Sequence, residues 1–122
     1  MIIMMGFYHR KPGMSFEEFR RYWGEVYGPL YNKYPDVKRH IRRYVQHPLI
    51  DPAGIPGQSK PFDGIAEAWF ESAEDIGKMV AEPDYKSFIG PVLAEFADVE
   101  RAHFTAYDDP VYIIGEAPVP VR

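Results

Sequence analysis

The chain contains no cysteine. That removes disulfides, thiolate nucleophiles and every cysteine-ligated zinc or iron–sulfur centre, and it suits a reducing compartment, so a cytoplasmic location is expected. A bilayer-spanning apolar run is also missing. The opening MIIMMGFYHR is too short and has no charged n-region before it, so no membrane partner is expected. Positive charge is in deficit: 14 Lys+Arg against 18 Asp+Glu give a formal net charge of -4. A nucleic-acid partner, which normally needs a basic domain, is therefore not expected. No Gly-rich phosphate loop, Ser–His–Asp arrangement, paired-carboxylate spacing or HExxH run is present, and the His residues are too scattered for a metal-ligand spacing. Neither a metal nor another cofactor is expected.

Aromatic side chains are what the sequence has in excess, at 16% with nine Tyr and eight Phe. Each can fill a small core or line a cavity. The length of 122 residues and 46% hydrophobic content suit one soluble globular domain over residues 1–122.

Ile2 to Arg10 is an apolar run ending at Lys11-Pro12-Gly13, the pattern of a buried strand entering a turn. Ser15 with Glu18 forms a capping box, flanked by Met14 and Phe19 at staple positions. The helix that follows carries Phe16, Phe19, Trp23, Val26, Tyr27 and Leu30 on one stripe, and Gly28-Pro29 interrupts it. A kink there leaves Tyr27 and Tyr31 near a freed carbonyl. Val37 to His47 reads as the second strand after Pro35-Asp36, with His40, Arg42, Tyr44 and Gln46 on one face. Residues 49–61 form a Pro- and Gly-rich loop. Phe62 to Phe70 is the third strand, with Gly64, Ala66 and Ala68 on one face, a row that admits a close helix or leaves a void. Ser72 and Asp75 open a second helix, and 84–97 continues helically with Phe88, Val92, Leu93 and Phe96 inward. Ala102 to Tyr107 is the last strand, and 116–122 is an extended tail. The order predicts an α+β, ferredoxin-like βαββαβ unit with a four-stranded antiparallel sheet. Helices cover one sheet face only, so a homodimer that covers the other is expected.

KPGMSFEEFRRYW, the GP helix break, RRYVQ and DGIAEAWF, in that order, resemble the EthD family of dimeric α/β-barrel proteins. The resemblance implies a pocket in each subunit between helices and sheet, while the other sheet face builds the dimer barrel. The superfamily includes lactone isomerases, polyketide cyclases, cofactor-independent oxygenases, pigment-pathway dehydratases or decarboxylases and haem-handling members. It places Gly64, Ala66 and Ala68 toward the pocket, with Met4, Gly6 and Tyr8 from the first strand and His40 and Tyr44 from the second. Many relatives have EVHAP where this chain has EVYGP, so Tyr27 stands in a His position. Lactone-isomerase relatives have a Cys where Ala68 stands, and cyclase relatives a His where Tyr85 stands.

The candidate chemistry is therefore phenolic. Tyr44 and Tyr27 are the expected donors and His40 the expected base. Tyr8, Trp23, Tyr31, Ala66, Ala68, Tyr85 and Phe88 are expected to bind the substrate. The basic run from Lys38 to Arg43 reads as a solvated strand start pairing with acids. Arg43 and Glu67 share the barrel face, where they can pair. The expected function is a cofactor-independent lyase, isomerase or cyclase acting on a phenolic, lactone or polyketide-like molecule. Alternatives are a cofactor-free or haem-dependent oxygenase and a non-catalytic dimer that binds hydrophobic ligands.

Overall fold

Ser15 starts the first helix as its spacing to Glu18 predicts. Its backbone is extended and its hydroxyl accepts the Glu18 N–H at 3.1 Å, which satisfies one of the free donors of the first turn. The protein's structure is a computed structural model that describes residues 1–50, 55–57 and 61–118. Helix α1, Phe16–Tyr22, runs directly into a π-helical turn, Trp23–Tyr27. The Gly28 N–H closes that turn on the Trp23 carbonyl at 2.9 Å. Pro29 and two short helices follow, α2 (Leu30–Lys33) and α3 (Pro35–Lys38).

Strands β1 (Ile2–Tyr8), β2 (Arg43–Pro48), β3 (Gly64–Phe70) and β4 (His103–Tyr107) form one sheet in the order β2-β3-β1-β4. Every neighbouring pair is antiparallel. This is the ferredoxin-like arrangement expected from the element order. Helix α4, Ala73–Ala81, a second π-turn, Tyr85–Ile89, and a 3₁₀ turn, Gly90–Glu95, pack with α1 over one sheet face. The core between them holds Phe19, Trp23, Phe70, Met79, Ile89 and Phe96. On the other face Ile3, Met5, Phe7, Val45 and Trp69 line a broad concavity together with Tyr107 and Tyr112.

Two local expectations need correction. The second strand begins at Arg43, not at Val37. Pro35 opens α3 instead of closing the element before it, because its missing N–H costs nothing in the first turn. Val37 consequently turns fully into the core. Next, Phe88 does not point inward; it is 49% exposed and stacks on Tyr34 at 5.2 Å, while Ile89 takes the buried place. The π-turn shifts the helical phase and moves the inward position along the chain. Ser72 opens α4 as expected, standing at its N-cap with an extended backbone while its hydroxyl donates to the Asp75 carboxylate at 3.2 Å. Within the expected loop 49–61, residues 51–54 and 58–60 lie outside the described residues, as do 119–122 of the expected tail.

Candidate active site

The row of small residues on β3 produces two different outcomes along its length. A Cβ on Gly64 would stand 2.5 Å from the Trp23 ring, so here the helix descends fully onto the sheet. At Ala66 and Ala68 no ring descends, and a cavity of about 230 Å³ remains. An apolar cavity of ~150 Å³ accepts benzene, so this one has room for a molecule of one or two rings. Ala68 lies between Tyr44 on β2 and Met4 on β1, and Ala66 between Gln46 and Gly6. Those pairings make the floor. Tyr8 closes one end of it from β1. Tyr27 and Tyr31 form a wall from the helix break, Met79, Val80 and Tyr85 another, and Phe104 the rim from β4.

The walls carry phenols that interact with one another. Tyr27 and Tyr31 share a hydrogen bond of 2.6 Å, so the break brings the two hydroxyls together instead of directing them to a freed carbonyl. The Tyr31 ring stacks on Tyr44 at 4.6 Å. Gln46 donates from one nitrogen to the Trp23 carbonyl at 3.0 Å and to the Tyr44 hydroxyl at 3.2 Å. Burial, reinforced by neighbouring phenols, pushes Tyr8, Tyr27 and Tyr31 well above the ordinary tyrosine range. Burial pushes Tyr44 up to about 12, with the Gln46 amide and the Trp23 indole opposing the shift. Tyr85 is raised by burial and partly offset by Tyr31. At neutral pH all these phenols are protonated, so the cavity presents hydrogen-bond donors. Among the described residues no Lys, Arg, His, Asp or Glu lines it.

Of the ten residues expected from sequence as donors, base or substrate contacts, seven meet in this cavity, Tyr8, Tyr27, Tyr31, Tyr44, Ala66, Ala68 and Tyr85, and Met4 and Gly6 join them from β1 as expected. Three do not. His40 precedes the strand instead of lying in it, and its Nε2 bonds Glu82 at 2.9 Å in a polar depression away from the phenols. Trp23 is buried beneath Gly64, edge-on to Tyr8, and does not line the cavity. Phe88 faces outward. Within the basic run, Arg39 pairs with Glu82 and Arg42 with Glu71. On the barrel face Glu67 bonds His47 and the Trp69 indole, each at 2.9 Å, while the Arg43 guanidinium lies over the Trp69 ring at 4.8 Å. Met79, Val80 and Phe104 were not foreseen as lining residues. Their positions depend on the phase of α4 and the register of β4, which residue type alone does not reveal. Gln46 was legible only as a neighbour of Tyr44 on the same strand face.

Among the described residues no group of three or more His, Cys, Asp or Glu is arranged to hold a metal, and no helix is long and apolar enough to cross a membrane. Comparison with known proteins places the chain. The EthD domain model matches residues 11–100. The chain belongs to the EthD family. It is 30% identical over 106 residues to "Decarboxylase claH" of Passalora fulva, covering 80% of this chain and 68% of that one. It is 29% identical over 104 residues to "Conidial pigment biosynthesis dehydratase EthD" of Metarhizium robertsii, covering 79% of this chain and 73% of that one. Its fold matches a crystal structure of an EthD family protein from Bacillus halodurans with a TM-score of 0.67 at 16% identity, over 90% of this chain and 99% of the other. It also matches a dimeric ferredoxin-like protein of unknown function from Bacteroides fragilis, with a TM-score of 0.62 at 15% identity over 88% and 95%. At such identities the structural likeness concerns the fold alone. The resemblance read from KPGMSFEEFRRYW and DGIAEAWF therefore holds, and so does the ferredoxin-like class.

Proposed function

We propose that this EthD protein is a cofactor-independent lyase that eliminates water or carbon dioxide from a small hydroxylated aromatic, polyketide-like molecule. The observation that carries the reading is the convergence of five tyrosines on one ring-sized apolar cavity, with no acid or base of another type lining it among the described residues. Relatives named as a decarboxylase and a dehydratase support the lyase class. Tyr44 is the general acid, and Tyr27, with Tyr31, orients a substrate oxygen. In a dehydration, Tyr44 protonates the departing hydroxyl as the C–O bond breaks. The electron-rich ring carries the positive charge. The Tyr44 phenolate, strongly basic because burial raises its conjugate acid, then takes the proton from the adjacent carbon as the double bond forms. One phenol thus serves both steps and is regenerated. In a decarboxylation, the carbon that keeps the electron pair takes the Tyr44 proton, and water restores it.

The test is turnover of hydroxylated aromatic substrates with dioxygen monitored in parallel. Release of water or carbon dioxide without oxygen uptake is expected; oxygen consumption tied to product would replace the lyase reading with an oxygenase. A non-catalytic ligand carrier is favoured by one observation: among the described residues no imidazole or carboxylate lines the cavity, and ligand binding without turnover would establish it.

Homodimer assembly belongs to the same proposal. Among the described residues no helix covers the sheet face bearing Met5, Phe7 and Val45, and Val111, Ile113 and Ile114 are 81%, 84% and 95% exposed. A fold relative is described as dimeric. A sedimentation mass of two chains is expected, and a mass of one 14.1 kDa chain would exclude the dimer.

A further inference from the structure

A backbone carbonyl can only accept hydrogen bonds, and this fixes the polarity of a side-chain amide beside the cavity. The Trp23 carbonyl takes the Gly28 N–H of the π-turn at 2.9 Å and is met by Gln46 at 3.0 Å. The Gln46 atom in that contact is therefore the amide nitrogen. The same nitrogen lies 3.2 Å from the Tyr44 hydroxyl, so its second hydrogen is donated there. A hydroxyl whose oxygen accepts in this way is left to donate its own hydrogen elsewhere. Among the described residues Tyr44 has no protein acceptor for that hydrogen, and its side chain lines the cavity.

The π-turn is shaped around this amide. A Cβ on Gly28 would stand 2.9 Å from the Gln46 nitrogen, and one on Gly24 would stand 3.7 Å from the Gln46 oxygen. Gly28 thus leaves the groove that Gln46 occupies, whereas a Cβ at Gly24 would make only an ordinary contact. The same turn supplies the carbonyl that orients the amide.

We propose that Gln46 is a positioning residue: by donating an N–H to the Tyr44 oxygen it turns the Tyr44 hydrogen into the cavity, where the substrate receives it. This rests on Tyr44 being the general acid. Once the proton has left, the same N–H faces the phenolate. The Trp23 indole N–H, which makes no full hydrogen bond of its own, is the second group that favours the anion.

The test places a fluorinated tyrosine at position 44 and titrates its phenol by fluorine NMR in three backgrounds: the native chain, Gln46→Met and Gly28→Ala. Gln46→Met is expected to raise the midpoint by about one pH unit, a tenfold weaker acid, because a donor to the charged form is gone. Gly28→Ala keeps Gln46 but displaces its amide, and it is expected to shift the midpoint the same way by less. It decides the matter should Gln46→Met fail to fold. Midpoints unmoved in the folded variants would overturn the proposal, as would a loss of turnover in Gln46→Met without a shift. A shifted midpoint in a protein with no turnover on any substrate would support Gln46's role while contradicting the lyase reading alone.

Discussion

Tyr44→Phe is expected to lower turnover by ~10²–10⁴, the usual contribution of a positioned general acid. Substrate affinity is expected to change little. The variant keeps the ring stacked on Tyr31 and the wall of the cavity, so the binding volume survives. It removes only the hydroxyl. The second Gln46 N–H then loses its acceptor, which costs about 1–3 kcal/mol of stability and lowers the melting temperature without unfolding the chain. Steady-state kinetics beside a thermal melt separate the two effects. A fall in turnover with KM near the native value is the predicted pattern. Native turnover in a folded Tyr44→Phe protein would remove the phenol from the mechanism.

Much of this arrangement was legible in the sequence because it depends on short-range chemistry. The Ser15 cap, the break at Gly28-Pro29 and the alternation on β1 and β3 follow from residue type and spacing. The alternation put Ala66 and Ala68 on one face of β3, and the resemblance to the EthD family turned that face to the pocket and placed Tyr8 there with them. The failures share one cause, a change of helical or strand phase. Pro35 opened α3 where a strand was expected, so His40 lost the parity that would have aimed it at Tyr44 and met Glu82 instead. The π-turn at Tyr85–Ile89 exchanged Phe88 for Ile89 in the core. A π-turn adds one residue to a helical turn and has no compositional signature of its own. Trp23 sits on the predicted apolar stripe, yet its destination depended on Gly64 across the interface. Gly64 is small, but smallness alone leaves open whether a partner ring arrives.

The difference between Gly64 and its two alanine neighbours also determines where a ligand fits. At Gly64 the space is already taken by Trp23; at Ala66 and Ala68 it is open. Ala68→Leu places a branched side chain in the open volume, between Tyr44 and Met4. Filling open apolar space buries more hydrocarbon, which offsets the loss of space for water at the Tyr44 hydroxyl, so the melting temperature is expected to stay near the native value. The ligand, by contrast, meets a steric block. Calorimetric titration of a naphthol, a neutral bicyclic phenol, into the native and Ala68→Leu proteins is therefore the most direct test that the phenol-lined cavity is the site. Binding to the native chain and loss of the binding heat in a fully folded Ala68→Leu variant is the predicted result. Equal binding by both would contradict it and put the site elsewhere on the molecule.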